Sequence, residues 1–410
     1  MDGELLVTFL LVLALATAVL LLFHRLRLPP LLGFLLTGIL VGPHGLGLVH
    51  TLATVEVVAE AGVVLLLFTI GLEFSFQRLR RIQRTLLTVG TTQVVVTVLA
   101  VLAVARASGQ PLARSVFLGL LVALSSTVVV LRLLQEKYEL DTQHGGIALA
   151  VLIFQDLAVV PMLLVTPLLG GRGDGAGAAG ELLLLLGKAA AIIALVVVAA
   201  RFVVPRLFYL IARTRSSELF SLSILVTCFA VAGLTSWLGL SLALGAFLAG
   251  LTLSDSEYGH QAFASMVPFR DVFASFFFIS IGMLLDPGFV LRHPLAVLTA
   301  CAVVLGIKVL VAGGAVQLFG HSLRNAVLVG FSLAQIGEFS FILAQEGLAH
   351  GLLAASTYQL FLVASVLTMG ATPLLLFLAP RLVDLLLRLP VPARLKVGLQ
   401  EPRRGPGAAA

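Results

Sequence analysis

Charge is what this sequence has least of. Only 11% of its 410 residues are Asp, Glu, Lys or Arg, while 60% are hydrophobic, against about a quarter charged in an ordinary soluble domain. So little charge cannot cover a water-exposed surface, which excludes a soluble globular domain. Cysteine is nearly missing as well. Cys228 and Cys301 lie far apart inside apolar runs, which excludes a disulfide framework and a cysteine metal site and leaves both as small buried hydrophobes. There is no Walker loop and no Gly-rich dinucleotide turn followed by a strand-helix unit, so ATP-driven work is not supported. No enzymatic reaction, cofactor or resident metal is expected, and the eight histidines sit in loops or at span ends. The formal charge of +6 is not joined to aromatics on one face, so it does not read as a nucleic-acid footprint.

Long apolar runs fill the space that charge leaves. A span needs about 20 apolar residues, and breaking the chain at charge clusters and turn residues gives thirteen candidate spans. They begin near residues 4, 30, 56, 86, 112, 145, 181, 216, 240, 268, 294, 323 and 356, the second and ninth being short. The expected fold is all-α and polytopic, with a membrane domain over 1–390 and a basic, Pro-rich cytoplasmic tail over 391–410. The segment Gly171 to Gly180 reads as a flexible linker. The first run, Leu5 to Phe23, follows Asp2 and Glu4 rather than a basic region, so it is taken as a span and not as a cleaved signal peptide.

Lys and Arg fall unevenly on this map. Eighteen lie in loops on the side of the C-terminus, including Arg25, Arg78, Arg84, Lys137, Arg213 and Arg270, and four (Arg106, Arg114, Arg172, Arg292) on the other. The positive-inside bias places the N-terminus outside and the C-terminus in the cytoplasm of a cell inner membrane.

The chain also repeats itself. GFLLTGI (Gly33 to Ile39) matches GAFLAGL (Gly245 to Leu251) at an offset of 212, placing Gly38 over Gly250. FTIGL (Phe68 to Leu72) matches ISIGM (Ile279 to Met283) at an offset of 211, placing Gly71 over Gly282. Gly119 falls over Gly330, Gln135-Glu136 near Gln345-Glu346, and Pro161 over Pro373. Spans one to six then recur as eight to thirteen, and a shift of seven spans turns the second copy upside down. Inverted repeats are the build of secondary transporters, with the substrate site near the midplane.

Few ionisable groups lie inside the spans, and each marks a candidate site, since a charge at the bilayer centre costs about 2.5–3.5 kcal/mol on insertion scales. Asp156 lies in the sixth span with Gln155 beside it; a packing role is the alternative. Lys308 lies deep in the eleventh span, too far from either end for easy snorkelling, and its expected charge partner is Asp156. Polar interruptions fall at matching places: Ser125, Ser126 and Thr127 in the fifth span, and Gln335 to Glu338 in the twelfth, with Glu338 over Thr127. These predict discontinuous helices whose free ends supply ion ligands, with Glu338 and Gln335 compensating the broken helix. Glu73, just before an arginine cluster, is expected in an interfacial ion pair.

Ala123 to Pro161 (ALSSTVVVLRLLQEKYELDTQHGGIALAVLIFQDLAVVP) resembles the signature region of the Kef-type branch of the monovalent cation:proton antiporters. GAFLAGLTLSDSEYGHQ (Gly245 to Gln261), FFFISIGMLLDP (Phe276 to Pro287) and AQIGEFSFIL (Ala334 to Leu343) are similar to that branch's other segments. The resemblance implies a homodimer in membrane lipid and crossed broken helices. It implies a scaffold over 4–76 and 216–287, a moving transport core over 84–168 and 292–388, and a linker helix over 182–208. It also implies competition of cation and proton at Asp156. Kef systems carry a nucleotide- and glutathione-sensing cytoplasmic domain, whereas twenty residues follow Pro390 here. Glutathione gating is therefore not expected of these residues unless they are a fragment, and a separate cytoplasmic regulatory subunit is a candidate partner. Related antiporters have Asp or Asn where this chain has Gln155, leaving one carboxylate in the pair.

Taken together, these readings point to exchange of potassium or sodium for protons by alternating access. Asp156 would hold the monovalent cation, with Gln155, Ser125, Ser126 and Thr127 completing an oxygen shell. A sodium-coupled symporter of an organic anion, and a membrane sensor or channel without coupled flux, are the competing readings.

Overall fold

The structure is a computed structural model that describes residues 2–26, 28–49, 52–73, 85–170, 187, 204–238, 241–254, 256–388 and 396. The described residues form helices and no strand: α1 (Asp2–Arg25), α2 (Pro30–Val41), α3 (Leu52–Glu73), α4 (Leu86–Ala107), α5 (Leu112–Ala123), α6 (Thr127–Glu136), α7 (Gln143–Gly170) and α8 (Val204–Ala212). They continue as α9 (Ser217–Trp237), α10 (Leu242–Ser254), α11 (Gly259–Leu284), α12 (Pro287–Arg292), α13 (Pro294–Leu318), α14 (Leu323–Ser332), α15 (Phe339–Ala349) and α16 (Ala355–Arg388). Helix α4 opens in a π-turn over Leu86–Gly90.

Local chemistry sets several of the starts. Pro30 and Pro294 stand in the first turn of α2 and α13, where no N–H is needed. Ser126, Ser216 and Ser322 cap α6, α9 and α14 by accepting the N–H of Val129, Leu219 and Asn325.

Among the described residues seven helices are long and apolar enough to cross a membrane, counting 112–136 as a single stretch. The short spans expected second and ninth are the short helices α2 and α10. Most of the seventh span and of the linker helix over 182–208 lies outside the described residues, as do the Gly171–Gly180 linker, the arginines that follow Glu73, and the tail apart from Lys396. Only 22% of the α13 stretch is buried. An apolar helix so open on its sides belongs in lipid.

The chain divides into two compact units. The first holds residues 1–81, 160–288 and 345–351. Here α3 packs against α10 and α11, and α2 against α11, at contacts that glycine makes possible. A Cβ on Gly38 would collide with the Ile279 carbonyl, and one on Gly282 with that of Leu35. A Cβ on Gly71 would likewise meet the Phe247 carbonyl, and one on Gly250 that of Phe68. Such small-residue crossings let backbones touch where lipid offers no hydrophobic drive to association.

The second unit holds residues 82–159, 289–344 and 352–410. Its apolar core joins Val89, Val130, Leu152, Val316, Val329 and Leu333, drawn from α4, α6, α7, α13 and α14 with the residue that follows it. Two helical stretches in this unit are interrupted, α5/α6 at 124–126 and α14/α15 at 333–338.

Candidate functional site

The site grows from the first interruption. After Ala123 the chain turns extended at Leu124 (φ −81°, ψ 145°) and Ser126 (φ −77°, ψ 111°), and helix resumes at Thr127. A helix cut in mid-membrane exposes carbonyls at one end and N–H groups at the other, and lipid supplies no partners for either. Lys308 of α13, fully buried, meets the carbonyl end. Its Nζ donates to Leu124 O at 2.6 Å, Val122 O at 2.9 Å and Ala123 O at 3.4 Å. Three ammonium protons thus find three acceptors at the negative end of α5.

The expected pairing of Lys308 with Asp156 is therefore corrected: these carbonyls are its partners. The reason is geometric. A broken helix end presents a cluster of carbonyl acceptors that converge on one amine, a partner set that a single carboxylate does not offer.

The second interruption interlocks with the first. Gly337 N donates to Leu124 O at 3.1 Å, and a Cβ on Gly337 would stand 2.5 Å from the Ser125 carbonyl carbon. Glycine is required at 337 by this approach. The Ser125 hydroxyl donates to Leu333 O at 3.0 Å and that of Ser340 to Leu121 O at 2.7 Å. Glu338 is buried and places Oε1 3.5 Å from Val128 N, so an acidic group faces the N–H end of α6. Gln335 departs from the expected compensation of a broken helix. It is fully buried, yet its amide bonds to no helix end among the described residues. In its place the Thr368 hydroxyl accepts Ile336 N at 3.4 Å.

Asp156 on α7 completes the arrangement. It is partly exposed, and the Thr127 hydroxyl lies 3.1 and 3.0 Å from its two oxygens. Gln155, buried beside it, accepts the N–H of Ser125 on Oε1 at 2.6 Å. Of the predicted residues, Ser125, Thr127, Gln155 and Asp156 gather at the first break. The Ser126 hydroxyl caps α6 through Val129 N at 3.2 Å rather than turning to Asp156. An oxygen-lined acid at a broken helix suits a small cation or a proton: hard cations take oxygen ligands, and a carboxylate binds either.

Two residues of this region carry no expectation from the sequence. Gln93 and Thr97 of α4, both buried, extend the polar network. Their signal was a lone glutamine in the apolar run TTQVVVT.

The sodium/hydrogen exchanger transmembrane family model matches residues 10–378. The chain belongs to that family. It is 40% identical over 358 residues to the putative cation/proton antiporter YbaL of Escherichia coli, covering 86% of this chain and 64% of that protein. It is 37% identical over 371 residues to the putative K(+) efflux antiporter KefB of Alkalimonas amylolytica, covering 90% and 56%. With the chloroplastic K(+) efflux antiporter 1 of Arabidopsis thaliana it shares 36% over 351 residues, covering 84% and 29%. The chain thus spans less than two thirds of the length of these curated relatives. Its fold resembles the sodium proton antiporter MjNhaP1 of Methanocaldococcus jannaschii at pH 8, with a TM-score of 0.67 at 16% identity over 94% of this chain and 99% of that one. The Kef-type resemblance read from the sequence agrees with these relatives.

Proposed function

We propose that this family member exchanges a monovalent cation, potassium or sodium, for protons by alternating access, with both ligands competing for Asp156. The observation that carries the reading is the partly exposed carboxylate bonded to Thr127 at a helix break whose other end is neutralised by a buried lysine. The names of the relatives, cation/proton and K(+) efflux antiporters, agree with this ligand class. The chemistry is transport rather than catalysis.

The same reading takes the chain as a thirteen-span, inverted-repeat homodimer of the inner membrane, N-terminus outside and C-terminus cytoplasmic. The scaffold is placed over 4–76 and 216–287 and the moving core over 84–168 and 292–388. Two correspondences support the repeat. Gly38 packs on Gly282 while Gly250 packs on Gly71, which is what exchanging the two copies requires. Ser125 N bonds Gln155 Oε1 and Ile336 N bonds Thr368 Oγ1, with donors 211 residues apart.

Reconstituted vesicles loaded with a pH-sensitive dye test the function. Added potassium or sodium is expected to release protons from the acidic side, and Asp156→Asn to abolish the signal while the protein still folds. Normal exchange in that variant removes Asp156 from the mechanism. A response that needs an organic anion would indicate symport instead.

A further inference from the structure

Gln93 of α4 is a buried amide close to the first break. Its Nε2 lies 3.2 Å from Ala123 O and 3.1 Å from Thr97 Oγ1. A carbonyl only accepts, so the nitrogen of Gln93 must face it. The Thr97 hydroxyl spends its proton on the Gln93 carbonyl at 2.7 Å, so it too meets Nε2 as an acceptor. The side-chain oxygen of Gln93 is thereby turned to Gln155, whose Nε2 donates to it at 2.7 Å. At the far end Ser125 N–H, a group that only donates, meets Gln155 Oε1 at 2.6 Å.

Side-chain amides are usually ambiguous in orientation. Here both ends of the chain Ala123–Gln93–Gln155–Ser125 rest on backbone groups of fixed polarity, and only one arrangement satisfies every bond. Turning either amide over would set like against like in a buried place, where each unmade bond costs about 1–3 kcal/mol.

We propose that Gln93 is a positioning residue for the cation site, holding Gln155 so that its oxygen and not its NH2 group faces the break beside Asp156. The inference rests on the reading of Asp156 as the cation site. A carbonyl oxygen has a second lone pair, so the oxygen of Gln155 can serve a dehydrated cation while still bonded to Ser125. An NH2 group there would repel one. Gln93 therefore acts on cation affinity without touching the cation, and on the Asp156 proton hardly at all.

The test is a set of variants in proteoliposomes, with KM for potassium and for sodium and the pH profile at saturating cation measured in each. Gln93→Leu removes the acceptor for Gln155 and is expected to raise cation KM about tenfold, the scale of one lost bond, with the saturated pH profile unmoved. Gln93→Glu, protonated in that buried place, keeps a carbonyl oxygen for Gln155 Nε2 and an O–H for Ala123 O, and is expected within about threefold of the parent KM when measured at acidic pH. A purely structural role predicts the reverse pattern, with stability falling in both and KM in neither. An unchanged KM in folded Gln93→Leu overturns the proposal, and so does a Glu variant as impaired as the Leu one. Should Gln93→Leu yield no folded protein, Gln93→Met, of similar length and without a strong acceptor, carries the same expectation. Asp156→Asn in the same vesicles separates the two ideas. If it still exchanges, the cation site is elsewhere; if it is dead while Gln93→Leu keeps the parent KM, only the role of Gln93 fails.

Discussion

The two units differ in how far their buried polar groups reach. In the first, buried hydroxyls bond back to their own helix: Thr37 to Gly33 O, Thr69 to Leu65 O, Thr227 to Ser223 O, Thr235 to Val231 O. None of these bonds ties one helix to another, and close approach is left to glycine. The second unit has such bonds too, as from Ser332 to Leu328 O and Thr372 to Thr368 O, and adds bonds that reach far along the chain, from Lys308 to Leu124, Gln155 to Gln93, Ser125 to Leu333, Ser340 to Leu121 and Asn325 to Gln143. A self-bonded hydroxyl costs little and specifies little. Long-range buried bonds fix one arrangement and leave a penalty behind whenever one partner is removed. The contrast separates apolar packing by shape from a polar network in which charge is handled.

Lys308→Met breaks the second pattern most severely. It takes the lysine donor from the carbonyls of Val122 and Leu124, and while Leu124 O keeps the N–H of Gly337, Val122 O loses its partner from α13, at about 1–3 kcal/mol for a buried orphaned group. A large drop in melting temperature and loss of exchange are expected. Lys308→Arg is not expected to rescue either, because a planar guanidinium cannot converge on three carbonyls as an ammonium does.

Gly38→Leu tests the first pattern. The added side chain meets the Ile279 backbone, and overpacking of this kind costs about 1–3 kcal/mol. Folded yield and thermal stability should fall, while exchange per folded molecule holds. If exchange per molecule were lost as fully as in Lys308→Met, the division of labour between the units would be wrong.

How much of this could be read beforehand follows the same division. The glycines of the first unit stood out because shape is written as residue identity: Gly38 and Gly250 recur at an offset of 212, Gly71 and Gly282 at 211, and all lie at crossings. The helix breaks were legible too, since Ser125 to Thr127 and Gln335 to Glu338 interrupt apolar runs. Partner choice was not. Lys308 reads as needing a carboxylate, because side chains are visible in a sequence and backbone carbonyls are not; the free end of α5 exists only once the helix has broken. Gln335 carries the polarity of a compensating residue, but its direction depends on the backbone of the break. Gln93 escaped notice because one amide in an apolar run gives no sign of what it faces.

The finest test of the contrast sets one hydroxyl from each unit against the other. Thr37 falls over Ala249 in the repeat, and its hydroxyl serves only its own helix at 2.8 Å. Thr37→Val keeps the buried shape and removes only a hydroxyl that bonds back to its own helix, so it is expected to change stability by no more than about 0.5 kcal/mol. Ser125→Ala removes a bond of similar length, 3.0 Å, but one that joins the two breaks and leaves Leu333 O unpaired, for about 1–2 kcal/mol. Thermal unfolding of both variants in one detergent measures the difference. Equal losses would mean that reach along the chain is irrelevant and that a buried hydroxyl is worth the same wherever it bonds.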